Sequence, residues 1–234
     1  MTMEEEQMLM NQGHEDFDTL LKYFFKYFPE EFWEKCAFQT NLYSVQARGR
    51  SVQTDVRELK VFVGIHIAMG ILKLPRVRLY WSRMFRIDLI AQAMTRNRFF
   101  ELRNYVHFVD KLSIPKKEQE KNRLFLVEPI ITSFRKACIE LPRSREVSID
   151  EQMIPFSGRC PVRQCVPSKP NPVGLKNFVM ASPDGLVLDF AIYVGKGTVP
   201  DDDMREFGLG GSVIKKLVQT LNRDRDTFVF TDRY

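Results

Sequence analysis

Arg145-Glu-Val-Ser-Ile-Asp-Glu-Gln152 is where the chain passes from helical to extended patterning. Val147 and Ile149 alternate with Ser148, which predicts a short strand over 146–149 with one apolar face. The acidic pair Asp150-Glu151 closes it, and Pro155 and Gly158 follow as breakers of regular structure. A carboxylate at the end of a buried strand is held rigidly, which suits a metal ligand. Taken alone, the same aspartate also reads as a turn cap.

Downstream, further strands are predicted over 175–181, 186–194 and 227–231, with Ser182-Pro-Asp-Gly185 as a hairpin turn between the first two. Ser212 starts a helix whose apolar face is Val213, Ile214, Leu217, Val218 and Leu221. A helical crossover between strands demands parallel pairing. If the last strand lies beside the first, Asp150 and Asp232 emerge at one sheet edge, on strands about 4.8 Å apart. Carboxylates that close can share hard divalent cations. Four strands and one helix leave one face of the sheet uncovered. Asp201, Asp202 and Asp203 read as a solvated loop. Gly195-Lys-Gly-Thr198 lacks the first glycine of a phosphate loop and precedes acidic residues instead of a helix. Glu151 falls on the face opposite Asp150.

The part before Pro142 has helical periodicity. One amphipathic helix is predicted over 16–28, and Pro29 opens a second carrying Phe32, Trp33 and Cys36. Residues 47–51 read as a loop. Thr54 or Asp55 caps a third helix, with Glu58 placed to close a capping box, and Pro75 ends it. Gly64 and Gly70 inside that helix point to close helix packing. Thr95 caps a helix through 108 that turns Phe99, Leu102 and Val106 inward and Arg96, Arg98 and Arg103 away. Residues 110–122 read as a polar loop with a weak nuclear-entry patch at Lys116-Lys117, and Pro129 opens the last helix of this half. Three regions result: an acidic helical segment 1–46, a basic helical region 47–142 and a sheet region 143–234.

Composition sets bounds. At 44% hydrophobic and 28% charged over 234 residues, the chain is globular, not disordered. The longest apolar run, 61–72, is too short to span a bilayer and contains His66, and the acidic start lacks a signal peptide's basic region. The four cysteines are scattered, and Cys160 and Cys165 are too widely spaced for a zinc knuckle. Reduced structural thiols are expected, consistent with an intracellular protein. The net charge of +5 is unevenly spread, with arginines concentrated between Gly70 and Phe125. Such a block fits a solvated face, and equally a surface that neutralises a phosphate backbone.

The runs Ser148-Ile-Asp-Glu-Gln-Met-Ile-Pro-Phe-Ser-Gly-Arg-Cys160, Val166-Pro-Ser-Lys-Pro170, Gly174-Leu-Lys176, Leu188-Asp-Phe190, Gly195-Lys196 and Phe230-Thr-Asp232 closely resemble the piggyBac transposases and their host-derived relatives. So do Phe62-Val-Gly-Ile-His-Ile-Ala-Met-Gly70, Lys73-Leu-Pro75, Tyr80-Trp-Ser82 and Arg96-Asn-Arg-Phe99 upstream, so the resemblance covers most of the chain beyond Gln39. It implies a mixed α and β chain in which a helical dimerisation and DNA-binding region precedes an RNase H-like catalytic domain. In that domain three aspartates bind two magnesium ions for hydrolysis and strand transfer at DNA ends. Asp150 matches the first aspartate and Asp232 the second.

The third aspartate and the family's cysteine-rich zinc domain lie beyond Tyr234, so an incomplete RNase H-like sheet is expected. Arg233 stands where relatives carry asparagine. Arg159, Arg163, Lys169 and Lys176 flank the first aspartate as phosphate clamps, or as ordinary surface charge. The expectation is therefore a nuclear, DNA-binding chain able to homodimerise, with an incomplete two-metal phosphoryl-transfer site and no turnover in this form. It needs no membrane and no small-molecule cofactor. A fragment of an active transposase and an interaction module without a DNA role are the alternatives, and whether the chain is an enzyme stays open.

Overall fold

The computed structural model describes residues 19–221 and 226–232. They form two compact units. One comprises the described residues up to Pro115 with Phe125–Ile130, and the other Lys116–Leu124 with those from Ile131 onward.

The first unit is helical. Helix α1 (19–27) is followed at Pro29 by α2 (Glu30–Arg48), then α3 (Val56–Ile71), a 3-10 turn (Val77–Trp81), α4 (Asp88–Ala93) and α5 (Arg96–Tyr105). Positions 16–18 of the first predicted helix lie outside the described residues. Trp33, Cys36 and Ala37 of α2 meet Leu59 of α3 in one buried cluster. Phe62, Ile65, Tyr80, Ile90, Phe99 and Leu102 build a second. The expected caps form: Asp55 accepts the Glu58 N–H at 2.7 Å and Thr95 the Arg98 N–H at 3.3 Å.

Two expectations fail here. The Glu58 carboxylate does not reach back to close a capping box; it accepts from the Thr54 hydroxyl and the Arg98 guanidinium, a charged donor that outcompetes a backbone N–H. Among the described residues, a Cβ added at Gly64 or Gly70 would meet nothing within 4 Å, so close packing inside this unit does not explain those glycines.

The second unit contains α6 (Lys116–Lys121), where the sequence suggested only a loop, and α7 (Glu128–Glu140) from Ile131 on. Its sheet has five strands: β1 (Glu146–Pro155), β2 (Gln164–Cys165), β3 (Val173–Ala181), β4 (Val187–Ile192) and β5 (Phe228–Thr231). β1 runs on past Asp150 because β3 pairs with it antiparallel from Ser148↔Ala181 to Pro155↔Gly174. Proline is tolerated only where the ladder ends. At Gly174 the strands approach so closely that any Cβ would collide with the Ile154 carbonyl.

β4 adds antiparallel to the far edge of β3 through the expected hairpin, in which the Gly185 N–H reaches the Ser182 carbonyl at 2.9 Å. The two-residue β2, which the sequence did not announce, continues that edge. β5 lies parallel to β1, giving the order β4-β3-β1-β5 with a helical crossover between β4 and β5. This is the RNase H-like arrangement that the resemblance implies.

The crossover is α8 (Asp201–Val218), longer than the helix predicted from Ser212. Asp201, Asp202 and Asp203 are its first turn, not a loop, which is where carboxylates favour the helix dipole. Gly195-Lys-Gly-Thr198 therefore does precede a helix, but one whose acidic start repels phosphate. Val147, Ile149, Phe178, Met180 and Leu188 of the sheet bury against Val213 and Leu217 of α8. β5 stays bare: Phe228, Val229 and Phe230 are all exposed, as an uncovered sheet requires.

All four cysteines are free, and burial pushes the thiols of Cys36 and Cys138 up to about 11. No helix among the described residues is long and apolar enough to cross a membrane. Arg233 lies outside the described residues.

Candidate metal site and basic surface

The β1–β5 register pairs Glu146 with Phe228 and ends at Ile149↔Thr231. Continued by one residue, it sets Asp150 level with Asp232 on neighbouring strands, about 4.8 Å apart by strand spacing. Val147 and Ile149 are buried beneath α8, whereas Ser148 and Asp150 are exposed on the alternate face. Asp150 thus projects from the middle of a ten-residue strand instead of closing a short one. Its Oδ1 accepts the Glu151 N–H at 2.6 Å, which fixes the carboxylate against its own backbone.

Two carboxylates on adjacent strands are the hard oxygen donors that a magnesium ion takes. Among the described residues, no group of three or more histidine, cysteine, aspartate or glutamate side chains converges on one point. The donor type fits the ion, and among the described residues these two carboxylates are fewer donors than a pair of ions needs.

Glu151 lies on the α8 face, as strand alternation dictates, and is fully engaged. It pairs with Lys169 at 3.3 Å and with Lys176 at closer range. The hydrogen bond from Lys176 is the main reason its carboxyl group stays below the usual range. Lys176 also lies over the Phe178 ring, 5.1 Å from its centroid. The two lysines singled out as phosphate clamps therefore fasten the β2–β3 segment to β1. Arg159 is exposed. Arg163, also exposed, donates to the Ser157 and Gly158 carbonyls at 3.1 and 3.0 Å and braces the turn after β1.

The arginines of α5 divide into two kinds. Arg96 and Arg103 are exposed and face away from the core. Arg98 is tied inward: it donates to both oxygens of Glu58, to Glu101 and to the Val52 carbonyl, all within 2.9 Å. Hydrogen bonding to Arg98 draws the Glu58 carboxyl below its usual range, and Arg48, followed by Arg98, does the same to Glu101. Arg98 is thus a brace between α3 and α5.

Beside Arg96 lies a hollow of about 590 Å³ that also takes in Arg78, Asn97, Phe100, Asn104 and Tyr105. Arg78 stands over the Phe100 ring at 5.6 Å and Arg48 over the Tyr105 ring at 4.7 Å. Arg78 belongs to the basic block that the sequence marks between Gly70 and Phe125, whereas Arg48 lies outside it and periodicity within α5 cannot show it.

A sequence profile of the family described as Transposase IS4 matches residues 20–234. PiggyBac transposable element-derived protein 3 of Homo sapiens is 26% identical over 198 residues, which cover 83% of this chain and 32% of that protein. PiggyBac transposable element-derived protein 2 of Homo sapiens is 29% identical over 189 residues, 78% of this chain and 30% of that one. The cryo-EM structure of the piggyBac transposase synaptic complex with hairpin DNA superposes with a TM-score of 0.74 at 25% identity, over 86% of this chain and 43% of that one. The chain belongs to this transposase family and, within it, to the piggyBac group. It spans about a third of the length of the curated relatives it matches.

Proposed function

We propose that this chain is a transposase-derived DNA-binding polypeptide whose sheet carries two of the carboxylates of a phosphoryl-transfer site. The observation that carries the proposal is the parallel β1–β5 register, which brings Asp150 and Asp232 level across some eighty intervening residues. A magnesium ion held by these two side chains would neutralise charge on a DNA phosphate and activate water for attack on it. Asp150, braced by its own strand, would be the fixed ligand of the pair, and Asp232, one residue past β5, would supply the second.

Arg96, beside Arg78, and Arg103 face outward and carry the phosphate contacts of the helical unit, while Arg98 holds α5 in place for them. Arg159 is an exposed cation in the segment after β1, and Lys169 and Lys176 fasten the β2–β3 segment to β1 through Glu151. The solved relative is a transposase in complex with hairpin DNA, which supports DNA as the partner. Two carboxylates do not satisfy a pair of dications, so the 234-residue polypeptide is expected to bind DNA without cutting it.

Fluorescence anisotropy with duplex DNA between 50 and 200 mM salt tests this. The affinity should fall steeply with salt, and Arg96→Ala with Arg103→Ala should lessen the slope of log K against log salt by about 2. A slope untouched by both changes would remove the basic surface from the account. Magnesium-dependent nicking of supercoiled plasmid that vanishes in Asp150→Ala would show instead that the site is complete.

A further inference from the structure

A hollow of about 830 Å³ in the second unit plays no part in the site described above. Four cations converge on it: Lys121 at the end of α6, Arg123 just beyond, Lys196 in the β4–α8 loop and Lys216 on α8. Among the described residues neither Lys121 nor Arg123 enters an ion pair. Lys216 is anchored by donating to the Thr198 carbonyl at 2.8 Å. Three carboxylates line the same hollow: Glu120 of α6, and Asp201 and Asp203 of the first turn of α8.

That turn is not continuous with the rest of its helix. Gly208 has φ 66° and ψ −175°, a conformation essentially confined to glycine, which separates residues 201–207 from 209–218. The leading half is exposed over most of its length, with Phe207 46% accessible. It is tethered by charge instead of by burial. Lys215 reaches Asp203 at 2.6 Å and stands 4.9 Å from the centre of the Phe207 ring, while Lys196 lies 3.8 Å from Asp201. Surface ion pairs of this kind are weak and loosen further as salt rises.

We propose that this hollow binds the phosphate chain of a nucleic acid, and that the half-helix 201–207 covers it in the free protein with Asp201 and Asp203 standing where phosphates would lie. Lys121, Arg123, Lys196 and Lys216 are then the phosphate partners, and Gly208 is the hinge about which the acidic segment leaves. The inference rests on the reading of the chain as a DNA-binding protein and adds to it a second contact surface, held shut until a stronger polyanion displaces two carboxylates.

The test is a cycle of four proteins titrated with a duplex oligonucleotide at low salt: the wild type, Asp201→Asn/Asp203→Asn, Lys121→Ala/Arg123→Ala, and the quadruple variant. Neutralising the two aspartates should tighten binding roughly fivefold or more, and the gain should disappear when Lys121 and Arg123 are absent. A gain of equal size in both backgrounds would mark a general charge effect and overturn the proposal, as would no gain. Hydrogen exchange should in addition rise over 201–207 when DNA is bound to the wild type; unchanged exchange there counts against the cover. If none of the four proteins binds DNA, the broader reading fails along with this one. If the wild type binds and the cycle shows no coupling, only the covered site fails.

Discussion

Replacing Asp189 with alanine is expected to destabilise the sheet unit by about 3–5 kcal/mol, the range for breaking a buried ion pair by removing one partner. Asp189 lies fully buried in β4. It accepts from Arg135 of α7 through Nε at 2.6 Å and Nη2 at 3.0 Å, from the Phe190 N–H at 2.7 Å, and from the Thr220 hydroxyl at 3.2 Å. One carboxylate therefore joins α7, β4 and the turn that follows α8. A register shift between Met180 and Ala181 makes this possible, because it lets both Leu188 and Asp189 point into protein.

Arg135→Met should also destabilise, by less than Asp189→Ala, since the buried acid keeps hydrogen bonds from Thr220 and a backbone donor and has Arg143 and Lys216 nearby. The double variant should then cost clearly less than the sum of the two. Cys138 provides the readout: it is free, fully buried and on α7. Its labelling by a thiol reagent should accelerate by roughly two to three orders of magnitude in Asp189→Ala. Acceleration below about fivefold, near 1 kcal/mol, would mean that the ion pair does not hold the unit together.

Phe99→Ala is expected to cost the helical unit a comparable amount, about 3–5 kcal/mol for deleting a buried phenyl ring. Phe99 is completely buried. Its ring centre lies 5.2 Å from that of Phe62, 5.0 Å from His66, 5.1 Å from Trp81 and 5.6 Å from Phe100. The ring thus locks α5 onto α3 and the 3-10 turn, and α5 is the helix that carries Arg96 and Arg103. Both tryptophans, Trp33 and Trp81, are in this unit, so their fluorescence follows its unfolding. The urea midpoint of that signal should drop by roughly 2 M. Phe99→Leu should recover most of the loss, since a leucine refills much of the space. A midpoint that moves by less than about 0.5 M in Phe99→Ala would contradict the packing described here.

Much of the fold is legible in short stretches. Val147 and Ile149 mark the first strand, Ser182-Pro-Asp-Gly185 fixes the β3–β4 hairpin, and the apolar row from Val213 to Leu217 requires a crossover that makes β5 parallel to β1. What stays illegible depends on partners far away in sequence. β1 continues through Asp150 to Pro155 because β3 supplies ladder partners, which local breakers at Pro155 and Gly158 conceal. The Asp201–Asp203 run looks like a loop because three acids are poor helix interior, yet they suit a helix start behind Pro200.

The site divides in the same way. The level placement of Asp150 and Asp232 follows from topology alone. The engagement of Arg98 by Glu58 across forty residues, and of Lys169 and Lys176 by Glu151, does not, since a charge pattern shows where a side chain starts and not which acid it reaches.

If Asp150 and Asp232 together hold one divalent cation, iron-directed cleavage of the polypeptide will report it. Ferrous ion added in place of magnesium, with ascorbate and peroxide, cuts the polypeptide next to where it is bound. The full 234-residue chain should be cut at two places, beside residue 150 in β1 and beside residue 232 after β5. Both cuts should fade with excess magnesium and be lost in Asp150→Ala. Cutting at only one of these places, or cuts that persist in Asp150→Ala, would show that the two carboxylates do not share an ion.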